Sequence, residues 1–277
     1  MPSDTRPRQD RDHPMTARSR LADALDTGGP VFGGWVVGPT AIGPEAFATA
    51  GYDYVGIDCQ HGYLDDADAA SMLRRLEHVP IATVVRLPTA DAAPIGRVLD
   101  AGADAVVIAM VESADEAAAA VAATRYPPAG VRSFGPLRPS LGHHPADLES
   151  RVSVFAMIET AQGVSALADV CAVPGLSGLY VGPADLAISM GYDPTSAWRT
   201  PEVRDAMSHV VTAATGAGLV AGVHAGNGAV GNTAAHMGFR MITLASESQA
   251  LRRGATDHLA EARAVEARPP ESAGGYR

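Results

Sequence analysis

Two carboxylates, Glu159 and Asp185, each close a short apolar run: Val154–Glu159, and Gly178–Val181 followed by Gly182-Pro183-Ala184-Asp185. A lone carboxylate among apolar neighbours is very costly, so each must meet an arginine, cap a helix or share a cation. Either acid taken singly is as readily a salt bridge or a cap. Placed at the ends of successive runs, the pair favours a divalent metal. Hard oxygen donors with no Cys or His between them suit Mg2+ or Mn2+, with Co2+ also admitted, completed by water and substrate oxygens. Asp58 and His61, in Asp58-Cys59-Gln60-His61-Gly62, stand three apart across a strand-to-loop turn. That separation lets the carboxylate orient the imidazole as a general base; the blander reading is a histidine tied into a polar loop. Arg86 ends the run Ile81–Arg86, where its planar charge must face an anion. The anion is either structural, such as Glu159, or a substrate oxyanion, which we favour.

Other reactive types are less well placed. The turn Gly182-Pro183-Ala184-Asp185 opens a helical stretch whose free N–H groups could grip a small carboxylate. Strand alternation turns Cys59 away from the interior, as a structural thiol rather than a nucleophile. The adjacent His143 and His144 are a rival metal pair, but they read as surface or subunit-interface residues. Trp35, Met110, Glu112, His224 and Asn227 also fall near strand ends, and no role is assigned to them.

Positioning such groups requires a scaffold that brings many strand ends to one rim. Eight short β-branched runs alternate with alanine-rich helical stretches: Val31–Val36, Tyr54–Asp58, Ile81–Arg86, Ala105–Ala109, Val154–Glu159, Gly178–Val181, Leu219–Val223 and Met241–Leu244. Helices are expected near Pro44–Ala50, Ala67–His78, Ala92–Ala101, Ala114–Arg125, Gly163–Val170, Glu202–Gly216, Gly226–Met237 and Glu247–Val265. This is the pattern of a single-domain (β/α)8 TIM barrel, whose typical length of about 250 residues it matches. A doubly wound sheet would need a G-x-G-x-x-G turn after the first strand, which is missing. The barrel is expected over residues 19–266, between a disordered arm at 1–18 and a loose tail at 267–277. Two insertions break the rhythm, Tyr126–Ser150 and Gly182–Thr200. The first follows a helix, so it should leave from the N-terminal rim and wrap its own barrel or reach a neighbour's site.

Composition removes several classes of function. All 21 basic residues are arginine, so enzymes that need a lysine amine, by Schiff base, pyridoxal phosphate or P-loop, are excluded. A net charge of −10 and 5% aromatic residues argue against a nucleic-acid surface. The longest apolar run, Ala105–Val111, is too short for a membrane span, which needs roughly 20 residues. The N-terminus lacks the apolar segment of a secretory signal. Two cysteines suit a reducing, cytoplasmic setting.

Several stretches carry a resemblance: Tyr54–His61, Thr83–Arg86, Ala123–Arg132, Ile158-Glu159-Thr160 and Gly182–Leu186 resemble the HpcH/HpaI aldolases, in order from about residue 20 to 260. These are metal-dependent pyruvate aldolases. The resemblance implies a hexameric barrel with its last helix packed on a neighbouring subunit, and an oxo acid and an aldehyde as small-molecule partners. It places the divalent metal on Glu159 and Asp185, and proton transfer at the substrate hydroxyl on His61 supported by Asp58. Arg86 would stabilise the pyruvate enolate, and the Gly182-Pro183-Ala184-Asp185 turn would bind its carboxylate through the Ala184 and Asp185 N–H groups. The reaction implied is reversible cleavage of a 4-hydroxy-2-oxo acid to pyruvate and an aldehyde. Two positions depart from the better-known members, Gln60 for a glutamate and Met157 for a glutamine. A lyase acting on coenzyme A thioesters and a non-catalytic binding barrel are the rival readings. The first lacks a basic nucleotide groove, and the intact residue set weighs against the second.

Overall fold

The computed structural model describes residues 19–266; the expected arm at 1–18 and tail at 267–277 lie outside them. Its strands are β1 (Val31–Val36), β2 (Tyr54–Asp58), β3 (Ala82–Leu87), β4 (Ala105–Ile108), β5 (Ser153–Ile158), β6 (Gly178–Val181), β7 (Val220–His224) and β8 (Met241–Ser246). They form a closed barrel in sequence order, every neighbouring pair parallel, with β8 returning to β1. This is the expected (β/α)8 barrel.

Alternation along each strand sorts residues into two sets. Val55, Ile57, Val85, Val106 and Val154 face the surrounding helices, whereas Tyr54, Val84, Val107, Phe155, Tyr180 and Met241 fill the interior. The interior interlocks by pairing rings with glycines. A Cβ on Gly33 would lie 2.2 Å from the Tyr54 ring, and one on Gly56 would lie 2.1 Å from the Trp35 ring. Large side chains on one strand thus occupy space left bare on the next, as close packing of a small barrel demands. Deeper in, the Tyr54 and Tyr180 hydroxyls lie 2.8 and 2.6 Å from the Thr243 hydroxyl, so the buried polar atoms satisfy one another.

The N-terminal mouth is covered by a helix the sequence pattern did not suggest, Arg20–Asp26, capped by Ser19. Its Leu21 and Leu25 join the interior cluster, and Arg20 donates to the carbonyls of Val79 and Ile81 just before β3. The insertion after the helix Ala114–Thr124 does leave from this rim and runs back along its own barrel. The Leu137 N–H donates to the Asp100 carbonyl at 2.9 Å, Ser140 donates to Glu77 at 2.6 Å, and Arg132 pairs with Asp100 at 2.8 Å. His143 and His144 are exposed on this excursion, away from the opposite rim. The helix expected at Gly163–Val170 is two short ones, Ala161–Ser165 and Leu167–Cys171. The last helix, Glu247–Glu266, is anchored by Glu247, which accepts from the N–H groups of Val37 and Gly38 at 3.2 and 2.8 Å.

Candidate active site

The C-terminal ends of the strands surround a cavity of about 220 Å3 whose walls include Trp35, Asp58, Arg86, Met157, Tyr180, Asp185 and His224. Register explains its centre. Asp58 and Arg86 are direct neighbours across β2 and β3, on the inward phase of both strands. Arg86 donates to Asp58 through Nε at 2.9 Å and Nη2 at 2.5 Å, a bidentate pair in which the residues are only 7% and 2% exposed. The Trp35 indole N–H donates to the same carboxylate at 3.0 Å, and the Arg86 guanidinium lies 5.4 Å from the Trp35 ring centroid. Burial pushes the Asp58 carboxyl upward, but the Arg86 hydrogen bonds and charge outweigh it and hold it below the ordinary carboxylate range.

This geometry corrects two expectations. Asp58 does not orient the His61 imidazole: it accepts the backbone N–H groups of Gln60 and His61 at 3.0 and 3.2 Å, and the His61 side chain is exposed on the rim. The structural carboxylate that Arg86 meets is Asp58 rather than Glu159. A directly opposed, buried opposite charge simply outcompetes the more distant groups. Arg86 keeps Nη1 for the cavity, 3.9 Å from the Met157 sulfur, which is a weak acceptor.

Glu159 is 1% exposed. Its Oε1 accepts the Met110 N–H at 2.9 Å, while Oε2 is buried with no hydrogen-bond partner among the described residues. Burial, followed by the Asp185 charge, pushes its carboxyl up to about 7 despite the Met110 N–H and Arg86. Gly182 makes this packing possible, because a Cβ there would sit 2.4 Å from Oε2. Met110, which presents the N–H, has φ 54, the left-handed region that non-glycine residues rarely occupy. Asp185 lies in the first turn of the helix Pro183–Ser189, half-buried, beside the free N–H groups of Ala184 and Asp185.

A buried, unpartnered carboxylate oxygen under the charge of a second carboxylate is the arrangement a divalent cation relieves, so the residues fit one. Among the described residues no group of three His, Cys, Asp or Glu gathers that could hold a metal alone. Glu159 and Asp185 would therefore leave most coordination positions to water and substrate oxygens. The sequence reading gave no role to Trp35, Met110 or His224. For Trp35 and His224 the missed signal was inward phase, two residues after Gly33 and Gly222 respectively. Cys59 donates from Sγ to the Asp65 carbonyl at 3.3 Å, and burial pushes its thiol up to about 12, as a structural thiol should behave.

Known proteins share this architecture. A hydroxypyruvate/pyruvate aldolase of Paraburkholderia phytofirmans is 35% identical over 259 residues, covering 90% of this chain and 99% of its own. A 4-hydroxy-2-oxo-heptane-1,7-dioate aldolase of Salmonella dublin is 32% identical over 244 residues, 86% of this chain and 92% of its own. The crystal structure of an aldolase/citrate lyase family protein from Burkholderia cenocepacia superposes with a TM-score of 0.80 at 34% identity, covering 87% of this chain and 98% of that one. Residues 32–253 match the sequence pattern of HpcH/HpaI aldolase/citrate lyase, and with those relatives it follows that the chain belongs to this family.

Proposed function

We propose that this protein is a divalent-metal-dependent aldolase that reversibly cleaves a 4-hydroxy-2-oxo acid to pyruvate and an aldehyde. The observation that carries the reading is the orphaned Oε2 of Glu159, packed behind Gly182 and under the charge of Asp185, where Gly182 and Asp185 line the same cavity as the clamped Arg86. Glu159 and Asp185 would hold Mg2+, Mn2+ or Co2+, which when bound supplies Lewis-acid stabilisation to the oxo acid's C2 and carboxylate oxygens. The chain's own groups do the rest. The N–H groups of Ala184 and Asp185, at the Gly182-led turn, bind the carboxylate. Arg86, fixed by Asp58 and Trp35, aims its remaining N–H groups at the oxygen that gains charge as the C3–C4 bond breaks. His61 takes the C4 hydroxyl proton, C4 leaves as the aldehyde carbonyl, and the bond pair forms the pyruvate enolate, which is then protonated at C3. Trp35, Met157 and Tyr180 wall the cavity and limit water there.

The test is pyruvate release from a panel of hydroxy-oxo acids, alongside metal analysis. Chelator-stripped protein should be inactive, bind about one divalent ion and regain activity with it. Full activity at verified zero metal would overturn the reading.

The same reading extends to a cytoplasmic homohexamer. Leu251 on the last helix is 74% exposed, as is Ile42 across an apolar groove of about 840 Å3, which supports burial of this face against a second copy. Sedimentation velocity of the intact chain checks the stoichiometry. Among the described residues no helix is long and apolar enough to cross a membrane, and Cys59 and Cys171 are both free.

A further inference from the structure

Most polar side chains of the cavity are already engaged. Asp58 is filled by Arg86, Trp35 and two backbone N–H groups, and Arg86 gives Nε and Nη2 to Asp58. The Tyr180 hydroxyl is directed to Thr243. Glu159 and Asp185 are assigned to the cation. His224 is the exception. It ends β7 on the inward phase set by Gly222, lines the cavity, and stands edge-on to Trp35, with centroids 5.6 Å apart and planes at 84°. Its imidazole makes no hydrogen bond to any described residue, although the ring contact fixes its orientation.

The charge state limits what such a ring can recognise. Burial, reinforced by the Arg86 charge and only partly offset by Asp58, brings His224 down to about 4. At neutral pH it is therefore an uncharged imidazole, with one N–H donor and one nitrogen acceptor. A neutral ring adds little to carboxylate or enolate binding beside Arg86. It suits a hydroxyl, which can accept from one imidazole or donate to it. On a bound 2-oxo acid, the carboxylate, the C2 oxygen and the C4 hydroxyl are already met by the turn N–H groups, the cation with Arg86, and His61. The position left without a partner is C3.

We propose that His224 is a positioning residue that hydrogen-bonds a hydroxyl on C3 of the oxo-acid donor, so that the enzyme favours C3-hydroxylated 2-oxo acids over pyruvate itself. This rests on the aldolase reading of the same cavity. Apart from His224 and the groups already engaged, the large side chains walling the cavity are Trp35, Met157 and Tyr180, so a C3 hydroxyl would have no side-chain partner there without His224. Replacing His224 should thus penalise the hydroxylated donor far more than the plain one.

The test uses intact protein loaded with Mn2+ and compares hydroxypyruvate with pyruvate for wild type, His224→Leu and His224→Gln. Two ratios are read: kcat/KM for addition to one fixed aldehyde, and Kd by calorimetry without aldehyde. A single well-placed hydrogen bond should make His224→Leu lose about tenfold in the hydroxypyruvate-to-pyruvate ratio, with His224→Gln recovering part of it because it restores a donor and an acceptor. An unchanged ratio in folded His224→Leu overturns the proposal. Absence of turnover with every donor would overturn the aldolase reading. The Kd ratio would still decide the role of His224: a loss in His224→Leu supports it and no loss refutes it.

Discussion

Asp58→Ala should be among the most damaging single changes in this protein, and for a reason separate from chemistry. The substitution leaves the Arg86 guanidinium, 7% exposed, without the carboxylate that receives its Nε and Nη2 hydrogens. It also strips the acceptor from the Trp35 indole N–H and from two backbone N–H groups. Breaking a buried ion pair from one side costs about 3–5 kcal/mol. In a chain of this size each kcal/mol lowers the melting temperature by about 2–4 °C, so a fall of roughly 6–20 °C is expected. Asp58→Asn keeps the shape and one acceptor oxygen, and should fall between wild type and Asp58→Ala. The double variant Asp58→Leu/Arg86→Met removes both charges and should recover much of the lost stability while remaining inactive. Calorimetric melting of the four proteins, with deuterium exchange at pyruvate C3 as the activity readout, makes the comparison. A melting temperature for Asp58→Ala within about 2 °C of wild type would refute the buried-pair argument, since even the low end of the estimate exceeds that.

Other expectations separate the roles of neighbouring residues. His61→Ala should lose carbon–carbon cleavage by about 10²–10⁴-fold while metal affinity by calorimetry stays near wild type; a collapse of metal binding in a folded variant would make His61 a ligand. Arg86→Lys should be nearly as damaging to C3 exchange as Arg86→Ala, because lysine cannot hold Asp58 bidentately and still present a donor to the cavity. Retention of wild-type exchange in folded Arg86→Ala would remove Arg86 from the chemistry. His224 gives a pH signature in stability. Its folded value of about 4 lies below the unfolded value of 6.5, so its contribution is fully present above pH 6.5 and fades as pH falls towards 4. Wild type should therefore lose melting temperature over that interval more steeply than His224→Leu, and parallel curves would contradict the buried, neutral ring.

The barrel was legible because its signal is redundant. Eight β-branched runs and the helical stretches between them survive errors of a residue or two at each end, as at Ala82–Leu87 against the expected Ile81–Arg86. The helix Arg20–Asp26 was not legible, since seven residues barely complete two turns and its apolar face shows only Leu21 and Leu25. At the site, residue types at strand ends were readable, but pairings were not. Nearness in sequence suggested Asp58 with the His61 ring. The partner that matters lies 28 positions away and is adjacent only through strand register. Two opposite charges closing consecutive inward-facing strands were the available clue. The support that Met110 gives Glu159 left no trace in sequence, since it comes from a backbone N–H held at an unusual φ.

The bare Cα of Gly56 carries a consequence for how this enzyme can vary. Trp35 occupies the space a side chain at 56 would need, and the same indole delivers its N–H to the carboxylate that aligns Arg86. Even a methyl group at 56 must tilt the ring, and through it the arginine, although position 56 itself lies below the cavity and touches no reacting group. Inherited drift or a directed library that spares every cavity-lining residue but samples 56 would still extinguish turnover, with the barrel left standing. Reverting such a clone would require the glycine back, or a smaller residue at 35 to receive the new side chain. Functional fragility in this protein therefore extends one layer beneath its chemistry, along the seam between β1 and β2.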